Sequence, residues 1–282
     1  VFLFFFGVRE TLWGASAVLM GYGLLLVAIC STASQGRFAT AILTFYAAFG
    51  SPAASAQIIF EQYTAYHHML VEDKPQKRIL WFDNAPQSTM SRRDPVEGGF
   101  EYTDFFHFPV LLNPAINTVL FVGLGGGTGP KVFLRDYPNV QIDVAEIDPA
   151  VVQVARDFFS VPHDPRLRIT VGDGRVFLRR ATRSYGAILM DAYSSGPYGA
   201  CLPYHLATRE FFELAWNRLV DGGCLIYNVI GVYGGFNDSV VRDMHATLAS
   251  VFPHVYVFQA HSSKNTVFLA LKAERGASQQ LG

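Results

Sequence analysis

TVLFVGLGGGTG, residues 118–129, is a short apolar run that breaks into glycines at alternate positions (Gly123, Gly125, Gly127, Gly129), with Gly126 between two of them. A β-branched, aromatic run of this length reads as a buried strand entering a tight turn. Glycine there permits φ > 0 and close approach of a ligand to the backbone. A helix starting near Pro130 would aim its free N–H groups at that ligand. The stretch predicts a group held at the end of a strand, and its neighbours must say which group.

Beyond it the hydrophobic period alternates between helix and strand. Helices are predicted over 131–137, 149–159, 174–181, 208–219 and 238–252, and strands over 141–147, 167–171, 186–191, 224–230, 255–259 and 266–271. Alternating βα units imply an α/β fold, a doubly wound and mainly parallel sheet with its ligand outside the carboxyl ends of the strands. The last two strands, joined by AHSSKN, are expected to pair antiparallel at one edge. Upstream, the β-prone runs 57–71 and 78–82 flank EDKPQK as a hairpin, and a turn DNAPQS follows. Residues 91–99 read as loop, and 102–112 are helix-like despite Pro109.

Residues 1–60 carry only Arg9, Glu10 and Arg37 as charges, against a charged fraction of 16% for the whole chain. They account for a mean hydropathy of +0.22. The uncharged run 11–30 matches the roughly 20 residues that cross a bilayer core as a helix, and 38–49 is a second, shorter candidate span. The apolar residues 1–7, with no initiator methionine, read as the tail of an earlier helix, so the chain reads as a fragment of a longer membrane protein. A buried helical hairpin is the alternative. The expected organisation is a membrane-spanning helical segment (1–56), a β-hairpin region (57–100) and a main α/β domain (101–282).

A formal charge of −1 gives no electrostatic case for a nucleic-acid partner. Cys30, Cys201 and Cys224 lack metal-like spacing and suit a reduced compartment. His67, His68 and His107 read as strand and core histidines, since no ligand pattern accompanies them.

The strand ends carry the chemistry. Glu146 closes the second strand roughly twenty residues after the glycines, where an acidic side chain can accept both hydroxyls of a ribose. Position 128 is Thr, so the third glycine of G-x-G-x-x-G is out of register, and the alternation fits an S-adenosylmethionine-type nucleoside better than a dinucleotide. Asp173, in VGDGR, is placed either to accept from an adenine amino group or to cap the helix beginning at Gly174. Asp191 ends the fourth strand, before AYSSGPYGA, and faces the reacting end of such a nucleoside.

These residues, together with YHHMLVED, APQST, FEYTDFFHFPVL, GLGGGTG, VAEIDPAVV, ITVGDGRVFL and ILMDAYSSGP in that order, resemble the spermidine synthases (polyamine aminopropyltransferases) over about 60–231. The apolar N-terminal segment and PYHLATREFF make the chain most similar to bacterial membrane proteins in which a transporter-like helical region is fused to a spermidine-synthase-like domain. The resemblance implies a Rossmann-like, S-adenosylmethionine-dependent methyltransferase-type sheet behind the small antiparallel β region. It implies transfer of an aminopropyl group from decarboxylated S-adenosylmethionine to an amine such as putrescine, with no permanently bound cofactor. It further implies pairing into a homodimer through the N-terminal sheets and attachment to the bacterial inner membrane with a cytoplasmic catalytic domain. By the same resemblance the turn with Gly123, Gly125 and Gly127 would hold the nucleoside, Glu146 its ribose and Asp173 its adenine. Asp191 would orient the amine and take its proton, while Tyr66, Gln87, Tyr102 and Asp104 match polar positions around the two amines.

Three positions depart from the family pattern. Thr128 stands where the family carries Asp, Ser194 where it carries a second Asp, and His67 where it carries Gln. Two anions that would attract cationic amines are absent, which weakens the case for putrescine. Neutral Thr128 would also repel a carboxylate less than Asp does, so S-adenosylmethionine itself is a second donor. A methyltransferase on the same fold, or a non-catalytic nucleoside- or polyamine-sensing domain coupled to the membrane helices, are the alternatives.

Overall fold

A computed structural model describes residues 56–196 and 199–272, the side chains of 195–200 excepted. Four strands come first: β1 (Gln57–Tyr63), β2 (His68–Asp73), β3 (Lys77–Phe82) and β4 (Ala85–Ser91), an antiparallel sheet in that order. A 3-10 helix (Glu101–His107) runs into α1 (Phe108–Leu112). Then follow β5 (Thr118–Val122), α2 (Thr128–Asp136), β6 (Gln141–Glu146), α3 (Pro149–Phe159), β7 (Leu167–Val171), α4 (Gly174–Arg180) and β8 (Tyr185–Met190). The short pair β9 (Ser194–Gly196) and β10 (Gly199–Cys201) leads to a 3-10 turn (Tyr204–Leu206), α5 (Arg209–Arg218), β11 (Leu219–Ile230), α6 (Asp238–Ala249), β12 (His254–Ala260) and β13 (Asn265–Leu271).

The second sheet has seven strands in the order β12-β13-β11-β8-β5-β6-β7. All neighbours from β11 to β7 are parallel, while β13 runs antiparallel to both β11 and β12. The chain winds outward through β6 and β7 on one side of β5 and through β8 and β11 on the other, so a crevice opens at the carboxyl ends of β5 and β8. Side chains alternate across a strand. Val119 and Phe121 of β5 accordingly join one apolar cluster, and Leu120 and Val122 join the other. Every residue of β8 is buried, as expected for a central strand covered on both faces. Met69, Val71, Leu80 and Met90 of the antiparallel sheet belong to the first cluster, so both sheets share one core.

The predicted helices and strands are present, with informative differences at their ends. The 57–71 run is broken where the Thr64 N–H donates to the His67 carbonyl (2.9 Å) and Thr64 Oγ1 accepts from the Tyr66 and His67 N–H groups. APQST is strand rather than turn: the chain reverses over Asp83 and Asn84, with Asp83 at φ 55, and Gln87 lies in β4. α2 starts at Thr128, ahead of Pro130, because Gly127 in the left-handed region (φ 69) is its N-cap. α3 begins where DPA predicts, with Asp148 accepting from Ala150 N–H and Pro149 in the first turn. The candidate spans 11–30 and 38–49 lie outside the described residues. Among the described residues no helix is long and apolar enough to cross a membrane.

Candidate active site

A cavity of 540 Å3 opens at the carboxyl edge of the parallel strands. Glu146, Asp173 and Asp191 line it, and none of its lining residues is lysine or arginine. Each acid arrives at the end of a different strand, β6, β7 and β8. Gly123, which follows β5, has φ 95, and a Cβ there would run into the Asp191 carbonyl oxygen, so this glycine lets the turn lie against the chain leaving β8.

Glu146 is 6% exposed; its Oε2 accepts from Leu124 N–H (2.8 Å) and its Oε1 from Asp148 N–H (2.9 Å). Burial raises its carboxyl to about 7, against the two backbone donors, which lower it. The glycine turn is pinned from a second direction by Ser88 Oγ of β4, which accepts from Gly126 N–H at 2.8 Å. With Gly123 N–H on the Ala145 carbonyl (2.9 Å) and Gly127 N–H on the Leu124 carbonyl (2.8 Å), four amides of the turn are already engaged, which shapes the cradle rather than leaving all its N–H groups free. Asp173 caps α4, its Oδ1 accepting from Val176 N–H (2.8 Å), and the residue also lines the cavity. Its Oδ2 takes a contact from His205 Nε2 at 2.6 Å.

Asp191 is held by side chains on both oxygens. Oδ1 accepts from Asn228 Nδ2 (2.8 Å) and Oδ2 from the Tyr102 hydroxyl (3.1 Å). Asn228 is held in turn, its Oδ1 accepting from Asn265 Nδ2 (2.9 Å) and its carbonyl from the Tyr193 hydroxyl (2.8 Å). Burial raises the Asp191 carboxyl from its ordinary value, and the bonds from Asn228 and then Tyr102 oppose the rise. A restrained carboxylate of raised basicity can fix a donor and accept its proton.

Tyr66, His67, Gln87, Tyr102, Thr128 and Ser194 also line the cavity. His67 stacks on Phe82 (centroids 4.1 Å apart), and burial lowers its basicity. Ser194 Oγ is turned to Cys201, 3.3 Å from its carbonyl and 3.2 Å from its sulfur. Gly125 is in the lining; Gly127 is not, being the helix cap. Asp104 is the one expected side chain that does not line the cavity. It is exposed and absent from the lining, because residues two apart in a helix look to different sides and Tyr102 takes the inward direction. Lys131, behind the turn, donates to the Pro95 (2.6 Å) and Phe159 (2.7 Å) carbonyls and so ties the 92–99 loop, which brings Gly98 and Gly99 to the cavity.

Asn228, His205, Tyr193 and Ser88 were not singled out from the sequence. Asn228 alone had a visible signal, one amide near the carboxyl end of the apolar strand CLIYNVI.

Comparison with known proteins gives a consistent result. The model of the spermine/spermidine synthase domain matches residues 100–264. A polyamine aminopropyltransferase of Vibrio vulnificus is 33% identical over 224 residues, covering 76% of this chain and 72% of that protein. Putrescine N-methyltransferase 2 of Nicotiana attenuata is 32% identical over 205 residues, 70% of this chain and 52% of that protein. The crystal structure of spermidine synthase from Thermotoga maritima superposes with a TM-score of 0.64 at 20% identity, covering 77% of this chain and 73% of that one, which shows the shared fold.

Proposed function

Because the chain belongs to the spermine/spermidine synthase family, we propose that it transfers an aminopropyl group from decarboxylated S-adenosylmethionine to a small polyamine of the putrescine class. The observation that carries the reading is one cavity with three strand-end carboxylates and, among the described residues, no lysine or arginine in its lining, which suits a cationic nucleoside and a cationic amine. In this reading Glu146 accepts the ribose hydroxyls, Asp173 with His205 meets the adenine, and Gly123 to Thr128 follow the nucleoside. The neutral amine attacks the carbon next to the sulfonium; a C–N bond forms, the C–S bond breaks, and its electron pair returns sulfur to a neutral thioether. Asp191 orients the amine and receives its proton, with Tyr102 and Asn228 holding the carboxylate in line. Tyr66, His67, Gln87 and Ser194 shape the acceptor end.

Release of methylthioadenosine from decarboxylated S-adenosylmethionine, dependent on added putrescine, is the direct test. Asp191→Asn should keep nucleoside binding nearly intact and abolish turnover, and full activity of that variant would remove Asp191 from its role. A second reading, methyl transfer from S-adenosylmethionine, is favoured by one observation: neutral Thr128 lines the cavity where the family's Asp is expected. It predicts S-adenosylhomocysteine as product in place of methylthioadenosine. The apolar N-terminal segment would anchor this unit to a bacterial inner membrane with the active site on the cytoplasmic side, and the four-stranded sheet would pair two chains. Carbonate washing of membranes and sedimentation of the detergent-solubilised chain test these two points.

A further inference from the structure

Away from the acidic cavity, a second concavity of 440 Å3 opens between β7 and α4. Its walls carry Arg168 and Thr170 from β7, Arg180 from α4, and Thr182 and Arg183 from the segment before β8. A buried carboxylate organises it. Asp143 is 2% exposed and receives Arg168 Nε and Nη2 at 3.0 Å each, the Tyr185 hydroxyl at 2.7 Å and Arg183 Nε at 3.5 Å. One carboxylate thus serves two guanidinium groups, and Arg180 has neither a hydrogen-bond nor an ion-pair partner among the described residues. Asp173, the acid on the rim, is already engaged by Val176 N–H and His205.

Arg168, Arg180 and Arg183 thus face two carboxylates, Asp143 and Asp173, which leaves the groove about one net positive charge, centred on Arg180, in a chain whose formal charge is −1. Guanidinium groups crowded in this way repel one another, and an anion between them removes that cost. Their planar forks match the oxygens of a phosphate two at a time. The volume lies within the range of small-ligand sites. The acidic cavity, by contrast, repels anions. We propose that this groove binds a soluble, phosphate-bearing small molecule through Arg180, Arg183 and the outer edge of Arg168, with the Thr170 and Thr182 hydroxyls at its rim.

Calorimetric titration of the full 282-residue chain with pyrophosphate tests the site. Saturable binding that falls at least roughly tenfold in Arg180→Ala and in Arg183→Ala, and not in Asp191→Asn, is expected. Arg180 is exposed, so its removal should leave the melting temperature unchanged, and Arg168 is avoided because its loss would strand the buried Asp143. Absence of saturable binding at millimolar pyrophosphate overturns the proposal, as does equal affinity of Arg180→Ala and the parent chain. Arg180-dependent sedimentation with phosphatidate vesicles, without pyrophosphate binding, also overturns it by assigning the charge to a membrane surface.

Discussion

Asn228→Ala isolates the positioning of Asp191 from its chemistry. The substitution deletes the 2.8 Å bond to Asp191 Oδ1 and, on the other side, the acceptor for Asn265 Nδ2. A hydrogen bond to a charged group contributes about 1.5–3 kcal/mol. Felt wholly in the transition state, that loss lowers kcat on the order of 10- to 100-fold. The orphaned Asn265 amide, 4% exposed, costs a further ~1–3 kcal/mol of stability. The pH dependence follows from sign. Asp191 must be ionised to take a proton, burial already raises it, and the Asn228 bond is the larger of the two opposing effects. Without that bond the carboxyl rises further, so the acidic limb of kcat/KM moves to higher pH. Methylthioadenosine release across pH, paired with thermal melting, reads both effects. A lowered Tm with an unshifted limb and kcat within about twofold of the parent would refute positioning and leave Asn228 a packing residue.

Gly123→Ala places a methyl group against the Asp191 carbonyl at φ 95 and should cost roughly 2 kcal/mol or more, read as a lower midpoint in urea. Glu146 makes the free protein less stable as pH rises: between its unfolded value of 4.5 and its folded value of about 7, only the folded chain keeps the proton. The loss is on the order of 3 kcal/mol across that window, and Glu146→Gln should flatten the slope of denaturation free energy against pH. Thr128→Asp restores an anion at the cavity wall, so calorimetry should show tighter binding of decarboxylated S-adenosylmethionine and weaker binding of S-adenosylmethionine. The opposite order would mean that Thr128 does not face the donor's tail.

Much of the α/β order was readable because its signals are local. Period-two and period-3.6 apolar patterns, Asp148 before Pro149, and glycines after a β-branched run each act within a few residues. The antiparallel sheet was read less well, since a polar turn inside a β-prone run, as at 64–67, leaves little compositional trace. APQST looks like a turn by composition, yet pairing with β3 makes it a strand. Asp104 stands outside the lining while Tyr102 enters it, a difference a motif does not carry because it treats neighbouring polar residues alike, whereas a helix sends them in different directions.

What the sequence by itself determined is the edge at which chemistry gathers. βα alternation brings the ends of β5, β6, β7 and β8 together, so Glu146, Asp173 and Asp191 had to share one crevice. Only the tertiary structure decided which groups set their state. Asn228 reaches Asp191 across 37 residues and His205 reaches Asp173 across 32, while Ser194 turns to Cys201. Those contacts depend on the strand order, on the parallel register of β11 with β8 and on the path of the chain after β8, none of which has a local sequence signal. The raised basicity of Asp191 and Glu146 arises the same way, from burial by segments far apart in the chain.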